Sequence, residues 1–201
     1  MAWRKKELIN VRQLIHSTQN PTFSRIGIAL LSAHFEGFIR QIANYYVIYI
    51  ASQNIKLTDL CTNFVAIHSG AIFGKCGESC KVTVVKEAID HFLGNYKTKS
   101  FRISYSPDNP IIKTHGNPSS TVVKNILESI GLDFTPYETK QNYIDRDLLK
   151  CRHSVVHGER IDIPIDDFDE TFNIIINIME GIYDQILLAA INKKYLRKSD
   201  E

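Results

Sequence analysis

PTFSRIGIALLSAHFEGFIRQIANYYVIYIASQ, residues 21–53, decides the fold. After Pro21 it holds no proline and only two glycines, Gly27 and Gly37. Phe23, Ile26, Leu30, Ala33 and Gly37 fall on one helical face, and Ile28, Leu31, Phe35, Phe38, Ile42 and Tyr45 on another. A helix that is apolar on more than one face sits at the centre of a domain. At 1.5 Å per residue, its roughly 30 residues span ~45 Å.

The flanking segments read as further helices. Residues 2–18 place Leu8, Val11, Leu14 and Ile15 at helical spacing and stop near Asn20-Pro21. A short helix is predicted from Leu57 to His68, then a Gly/Cys-rich turn from Gly70 to Ser79, then a helix from about Lys81 to Tyr96. Residues 97–117 hold Pro107, Asn109-Pro110 and Gly116-Asn117-Pro118, and read as a loop with a short extended piece at Phe101–Tyr105. Ser119 or Ser120 caps a helix that reaches Ile130 and stops at Gly131. After Pro136 a helix runs from about Glu138 to His157, closed by Gly158. Asp166 reads as the cap of the last helix, with Asp167, Asp169 and Glu170 in its first turn, where the dipole favours anions. Phe172, Ile175, Ile176, Met179, Ile182, Tyr183, Ile186 and Leu187 share one face of it, and Lys193, Lys194, Arg197 and Lys198 complement its C-terminal end. The fold class is all-α, an antiparallel helical bundle in one domain over 1–201, with a partly irregular central insert at about 70–117.

The chain has 201 residues, enough for one domain with a real core. At 44% apolar and 23% charged it has ordinary globular composition. The net charge of +2 does not advertise a nucleic-acid binder, but a small basic cleft vanishes in a whole-chain sum. No uninterrupted apolar run approaches the ~18 residues of a membrane span, and Met1-Ala2-Trp3-Arg4-Lys5-Lys6 lacks the apolar core of a secretory signal. A cytoplasmic protein without membrane contact is expected. Cys61, Cys76, Cys80 and Cys151 are then expected as free, reduced thiols, since no second pair with zinc spacing follows Cys76 and Cys80.

Candidate chemistry lies in Leu148-Leu149-Lys150-Cys151-Arg152-His153-Ser154-Val155-Val156-His157-Gly158-Glu159. Arginine is a permanent cation whose forked donors suit phosphate oxygens, and histidine can both take and give a proton near neutral pH. The bare spacing means little. Nine Arg and seven His in the chain give about one chance match, and Arg146 to His153 is a second instance. Taken singly, Arg152 reads as a surface ion-pair partner and His157 as a cap at a helix C-terminus.

Context changes that. Leu148-Leu149-x-x-Arg152-His153-x-x-x-His157-Gly158-Glu159 and Ala33-His34-Phe35-Glu36-Gly37-Phe38 together resemble the HEPN superfamily of α-helical ribonucleases. A microbial branch is the best likeness, through the Trp3–Leu8 opening and the Gly131–Lys140 segment, which reads Gly-Leu-Asp-Phe-Thr-Pro-Tyr-Glu-Thr-Lys. The resemblance spans about residues 2–195 and is weakest over 70–117. It implies a HEPN-like bundle that pairs two-fold, with Arg152 and His157 of each subunit meeting at the interface. It also implies metal-independent RNA cleavage, in which the 2′-hydroxyl attacks the adjacent phosphorus to leave a 2′,3′-cyclic phosphate. Many relatives are toxins of toxin–antitoxin or anti-phage defence systems, which implies an antitoxin or defence partner protein. Others are catalytically silent modules that bind nucleotides or scaffold proteins, and that is the alternative reading. No metal or cofactor is called for.

The chemistry agrees with the resemblance. Internal transesterification needs a base, an acid and cations for the phosphorane. A two-fold dimer places two copies of His157 together, one for each proton, with Arg152 on the phosphate. Five residues on an ideal helix give ~140° of rotation and ~7.5 Å of rise, which only a side chain as long as arginine readily spans.

His153 stands where relatives most often carry Asn. It reads either as a surface or hydrogen-bonding residue or as one that orients His157 or contacts substrate. A His-x-x-x-His zinc site is disfavoured, because the metalloprotease Glu is absent and Arg152 would repel the cation. Glu36 reads either as an i,i+4 partner of Arg40 or as a carboxylate orienting Arg152 or His157. His34 reads as structural.

Overall fold

Left-handed Gln19 (φ 53°) ends helix α1 (Ala2–Thr18), and Pro21 begins helix α2 (Pro21–Ser52) almost immediately. The structure is a computed structural model that describes residues 1–79 and 81–198. Cys80 lies outside the described residues, and among those described Cys61, Cys76 and Cys151 are in no disulfide. Helices α3 (Thr62–Glu78), α4 (Val82–Leu93), α5 (Ser120–Ser129), α6 (Cys151–Val156) and α7 (Ile165–Ile191) follow, linked in part by tight 3₁₀ turns such as Leu57–Asp59 and Asn95–Thr98. Among the described residues no β-strand forms, and pairing is limited to isolated bridges such as Lys56 to Ser100. The protein is all-α, as its sequence periodicity requires.

Three expectations need correction. The Gly/Cys-rich stretch from Gly70 to Ser79 is not a turn, because α3 continues through it to Glu78. Each glycine costs a helix about 1 kcal/mol, which weakens the helix without forbidding it. Gly70, Gly74 and Gly77 all face open space, while Phe64 and Ser69 of the same helix are buried. The backbone pairing lies earlier than the extended piece expected at Phe101–Tyr105: Phe101 N–H donates to Ile55 O (2.8 Å) and Leu57 N–H to Lys99 O (2.9 Å). Asp166 is not a cap. Helix α7 begins at Ile165, with the Phe168 amide bonded to Pro164 O, so Asp166 and Asp167 lie in its first turn. The uncertainty between Ser119 and Ser120 resolves to Ser119, whose Oγ accepts from the Val122 amide at 3.3 Å.

The chain divides into two compact units. The first comprises Met1–Ile42, Lys113–Asn125 and Asp133–Gln185. Its core is built from Leu8 and Ile15 of α1, Ile28, Leu31, Phe35, Phe38 and Ile39 of α2, and Phe168, Phe172, Ile175, Ile178 and Met179 of α7. The second comprises Ala43–Ile112, Ile126–Leu132 and Ile186 onward, with Phe64 in edge-to-face contact with Tyr46 (5.8 Å) and Phe101 (6.0 Å). Charged and polar residues interrupt α7, so it holds no continuous apolar run, yet by length and composition it is apolar enough to cross a membrane. A core helix passes the same test, and the Phe168–Met179 face of α7 is core.

Two sequence motifs meet in the first unit. Arg4 lies over the Trp3 ring (4.5 Å) and reaches His34 Nδ1 (3.2 Å) and Gln41 Oε1 (3.3 Å). A Cβ on Gly37 would stand 3.1 Å from the Arg4 guanidinium, so the glycine leaves room for it. His34 is only 5% exposed, with Nε2 2.8 Å from Glu7 Oε2 though off the line that a hydrogen bond needs. Burial holds its pKa below the usual value, and Arg4 acts in the same direction against Glu7. The expected structural role of His34 agrees with this position.

Gly27 sits where helices α1, α2 and α7 pack closely. A Cβ there would come within 2.7 Å of Phe168 Cε2 and 2.8 Å of Ile15 Cδ1, both fully buried side chains. Helix propensity favours alanine by about 1 kcal/mol, whereas overpacking a filled core costs typically about 1–3 kcal/mol. Gly27→Ala is expected to lower the urea midpoint of unfolding. An unchanged or raised midpoint would show that α1 and α7 can draw back without cost.

Candidate functional site

The site helix begins after a 3₁₀ turn, Thr135–Lys140, that carries Pro136 in its first turn. It runs over 141–156, but Tyr143–Lys150 is wound as a π-helix before the chain returns to α geometry in α6. In i→i+5 winding, residues four and five apart fall on the same side of the helix. Ile144 and Leu149 are such a pair, and both are buried together with Leu148. The helix is also tied down by a carboxylate. Asp145 accepts from the Ser120 amide (2.8 Å) and from Ser120 Oγ (2.5 Å), joining the π segment to the first turn of α5. A carboxylate at a helix N-terminus satisfies an amide that the helix leaves open.

The C-terminal end is equally specified. The Glu159 amide bonds to Ser154 O (2.9 Å) and the Gly158 amide to Val155 O (3.2 Å). These two bonds, with Gly158 at φ 75°, make a Schellman closure around His157 as the cap residue. Arg25 of α2 then donates to the Glu159 carbonyl at 2.9 Å. His157 is therefore held between a closed helix end and a pinned exit strand of backbone.

The imidazoles of His153 and His157 lie 4.2 Å apart between centroids, tilted by 50°, and both are exposed. Arg152 is half-buried and has no hydrogen-bond or ion-pair partner among the described residues. Arg146, the chance competitor in the sequence, is different. Its Nε (2.6 Å) and terminal nitrogen (3.0 Å) both engage Asp147, so its donors are already committed. Of the two arginine–histidine spacings, only the one starting at Arg152 leaves a guanidinium unoccupied.

Glu36 does not join this group among the described residues. One of its carboxylate oxygens accepts from the buried Thr114 hydroxyl at 2.7 Å. A different face of the site helix lines a cleft of about 220 Å³ with Tyr143, Asp147, Cys151, Asp167 and Glu170. Burial, then the nearby Asp147, pushes the Cys151 thiol up, so it stays protonated near neutral pH and is no nucleophile. Among the described residues no cluster of metal-ligating side chains exists. The residues that sequence reasoning missed are Arg25, Ser120 and Asp145. Arg25 is 134 positions from Glu159 and Ser120 is 25 from Asp145, and no local pattern signals either pairing.

Chemically, the arrangement offers an uncommitted guanidinium and an exposed imidazole pair at a fixed helix end. Comparison with known proteins gives one match: the family model described as RiboL-PSP-HEPN covers residues 1–188. No curated protein and no solved structure matches the chain.

Removing the carboxylate at Asp145 leaves the buried Ser120 amide and hydroxyl unpaired, a cost of about 1–3 kcal/mol. Asp145→Ala is expected to lower the melting temperature and speed amide exchange over 141–156. Unchanged exchange there would mean that the apolar face alone holds the site helix.

Proposed function

The chain belongs to the RiboL-PSP-HEPN family of the HEPN superfamily, and on that premise we propose that it is a metal-independent endoribonuclease with Arg152 and His157 as its catalytic residues. The observation that carries the reading is the uncommitted Arg152 guanidinium on the helix that ends at His157. A cation without an internal partner is free to take a phosphate, and bidentate guanidinium contacts to phosphate are strong.

The reaction is transesterification within the RNA strand. One imidazole accepts the proton of the ribose 2′-hydroxyl as its oxygen attacks phosphorus. The bond to the 5′-oxygen breaks, and a protonated imidazole supplies that oxygen with a proton. The products are a 2′,3′-cyclic phosphate and a 5′-hydroxyl. Arg152 offsets the charge that grows on the non-bridging oxygens. Two proton carriers are needed, and a homodimer supplies two copies of His157 by two-fold symmetry. Val156, 61% exposed beside His157, gives the site an apolar rim suited to pairing with a second copy. His153, in ring contact with His157, orients it. A role as toxin or anti-phage effector, held by an antitoxin or defence partner in the cytoplasm, fits such an enzyme.

Purified protein incubated with mixed RNA in EDTA is expected to yield cyclic phosphate ends. Arg152→Ala and His157→Ala should each lower the rate by at least about 100-fold with unchanged melting temperature, and His153→Ala by no more than about tenfold. Absence of cleavage in any RNA pool would favour the silent binding module. Equal losses in His153→Ala and His157→Ala would instead assign both proton carriers to one chain.

A further inference from the structure

Residues 73–102 carry six cations and three carboxylates, a net +3, whereas the chain as a whole is only +2. They lie in the second unit, where α3 and α4 turn back on each other and Cys76 Sγ approaches Val84 O (3.8 Å). Between them is a cleft of about 300 Å³ lined by Lys75 of α3, by Val84, Glu87, Asp90 and His91 of α4, and by Lys99. Asp90 is already neutralised by Lys86 on its own helix, which leaves Glu87 as the only lining carboxylate, among the described residues, without an ion-pair partner.

His91 is the unusual member. Its Nε2 is buried and has no hydrogen-bond partner among the described residues, although a buried polar atom without one costs about 1–3 kcal/mol. Burial, then Lys99 and then His68, holds its pKa below the usual value. The imidazole is therefore neutral near pH 7 and, in the Nε2–H tautomer, offers a donor with nothing to receive it. Next in sequence to Ile72, which lines the cleft, Phe73 rests one ring face on Phe92, the neighbour of His91 (centroids 5.5 Å apart, 26° between planes), and remains 53% exposed.

We propose that this cleft is a second RNA-contacting site, which seats a backbone phosphate of single-stranded RNA between Lys75, Lys99 and His91 Nε2 while the adjoining base stacks on Phe73. Cations that follow the backbone, combined with an aromatic platform, are the means by which proteins grip single strands. An acidic peptide would use the lysines but has no need of an open ring face. The inference rests on RNA as the substrate, but binding alone tests it. The site lies outside the cleavage residues.

The test uses the full chain and a fluorescent 12-nucleotide RNA in which every ribose is 2′-O-methylated, so that it cannot be cleaved. Lys75→Gln/Lys99→Gln is expected to weaken binding about tenfold and to reduce the slope of log Kd against log salt by about 0.7, the worth of the one single-strand phosphate contact they share. Phe73→Ser is expected to weaken binding about fivefold or more at an unchanged salt slope. Circular dichroism melts of both variants should match the parent. Unchanged affinity and slope in the double variant, or no RNA binding by the parent chain, would overturn the inference. So would poly-glutamate binding as tightly as RNA, which would point to an acidic protein partner. The expected binding losses without cleavage of unmodified RNA would sink the nuclease reading alone, and cleavage with unaffected binding would sink this inference alone.

Discussion

Helix α2 buries one broad apolar face along its whole length and leaves Ile26, Tyr45 and Tyr49 at the surface. Burying that face is the constraint on which the remaining structure depends. Ile28, Leu31, Phe35, Phe38 and Ile39 supply the core of the first unit, and Tyr46, Val47 and Ile50 that of the second. Close approach to α2 needs small residues, which explains Gly27 under Phe168 and Gly37 under Arg4. Once α2 is packed, Arg25 on its first turns is a fixed donor for the backbone after Gly158. Core packing and site geometry thus share one helix.

The legible parts of the fold are those set locally. Gly131 and Gly158 were readable as helix stops because the Schellman turn demands a left-handed residue at one definite position, and both have φ near 75°. The apolar spacing of α1, α2 and α7 was readable because burial follows periodicity. Gly70, Gly74 and Gly77 misled for a quantitative reason: glycine lowers helix stability without abolishing it, and these three face open space. The π winding over Tyr143–Lys150 left no trace, since the apolar residues of an i→i+5 segment fit an i→i+4 pattern nearly as well.

Within the site, the bare spacing could not distinguish Arg152 and His157 from Arg146 and His153, and only the surrounding motif singled them out. The structure adds the distinction through Asp147, which occupies Arg146 and leaves Arg152 open. Glu36 shows the limit of motif reasoning from the other side. Its carboxylate serves Thr114, 78 positions away, a contact that no helical spacing forecasts. The supports of the site, Ser120 with Asp145 and Arg25 with Glu159, are long-range for the same reason.

The functional reading treats each chain as half an active site, with one His157 as base and its symmetry mate as acid. Subunit mixing tests that most directly. Parent and His157→Ala chains, unfolded together in urea and refolded at varied ratios and constant total concentration, should cleave RNA in proportion to the square of the parent fraction. Activity that instead falls linearly with that fraction would contradict the shared site and assign the whole reaction to a single chain.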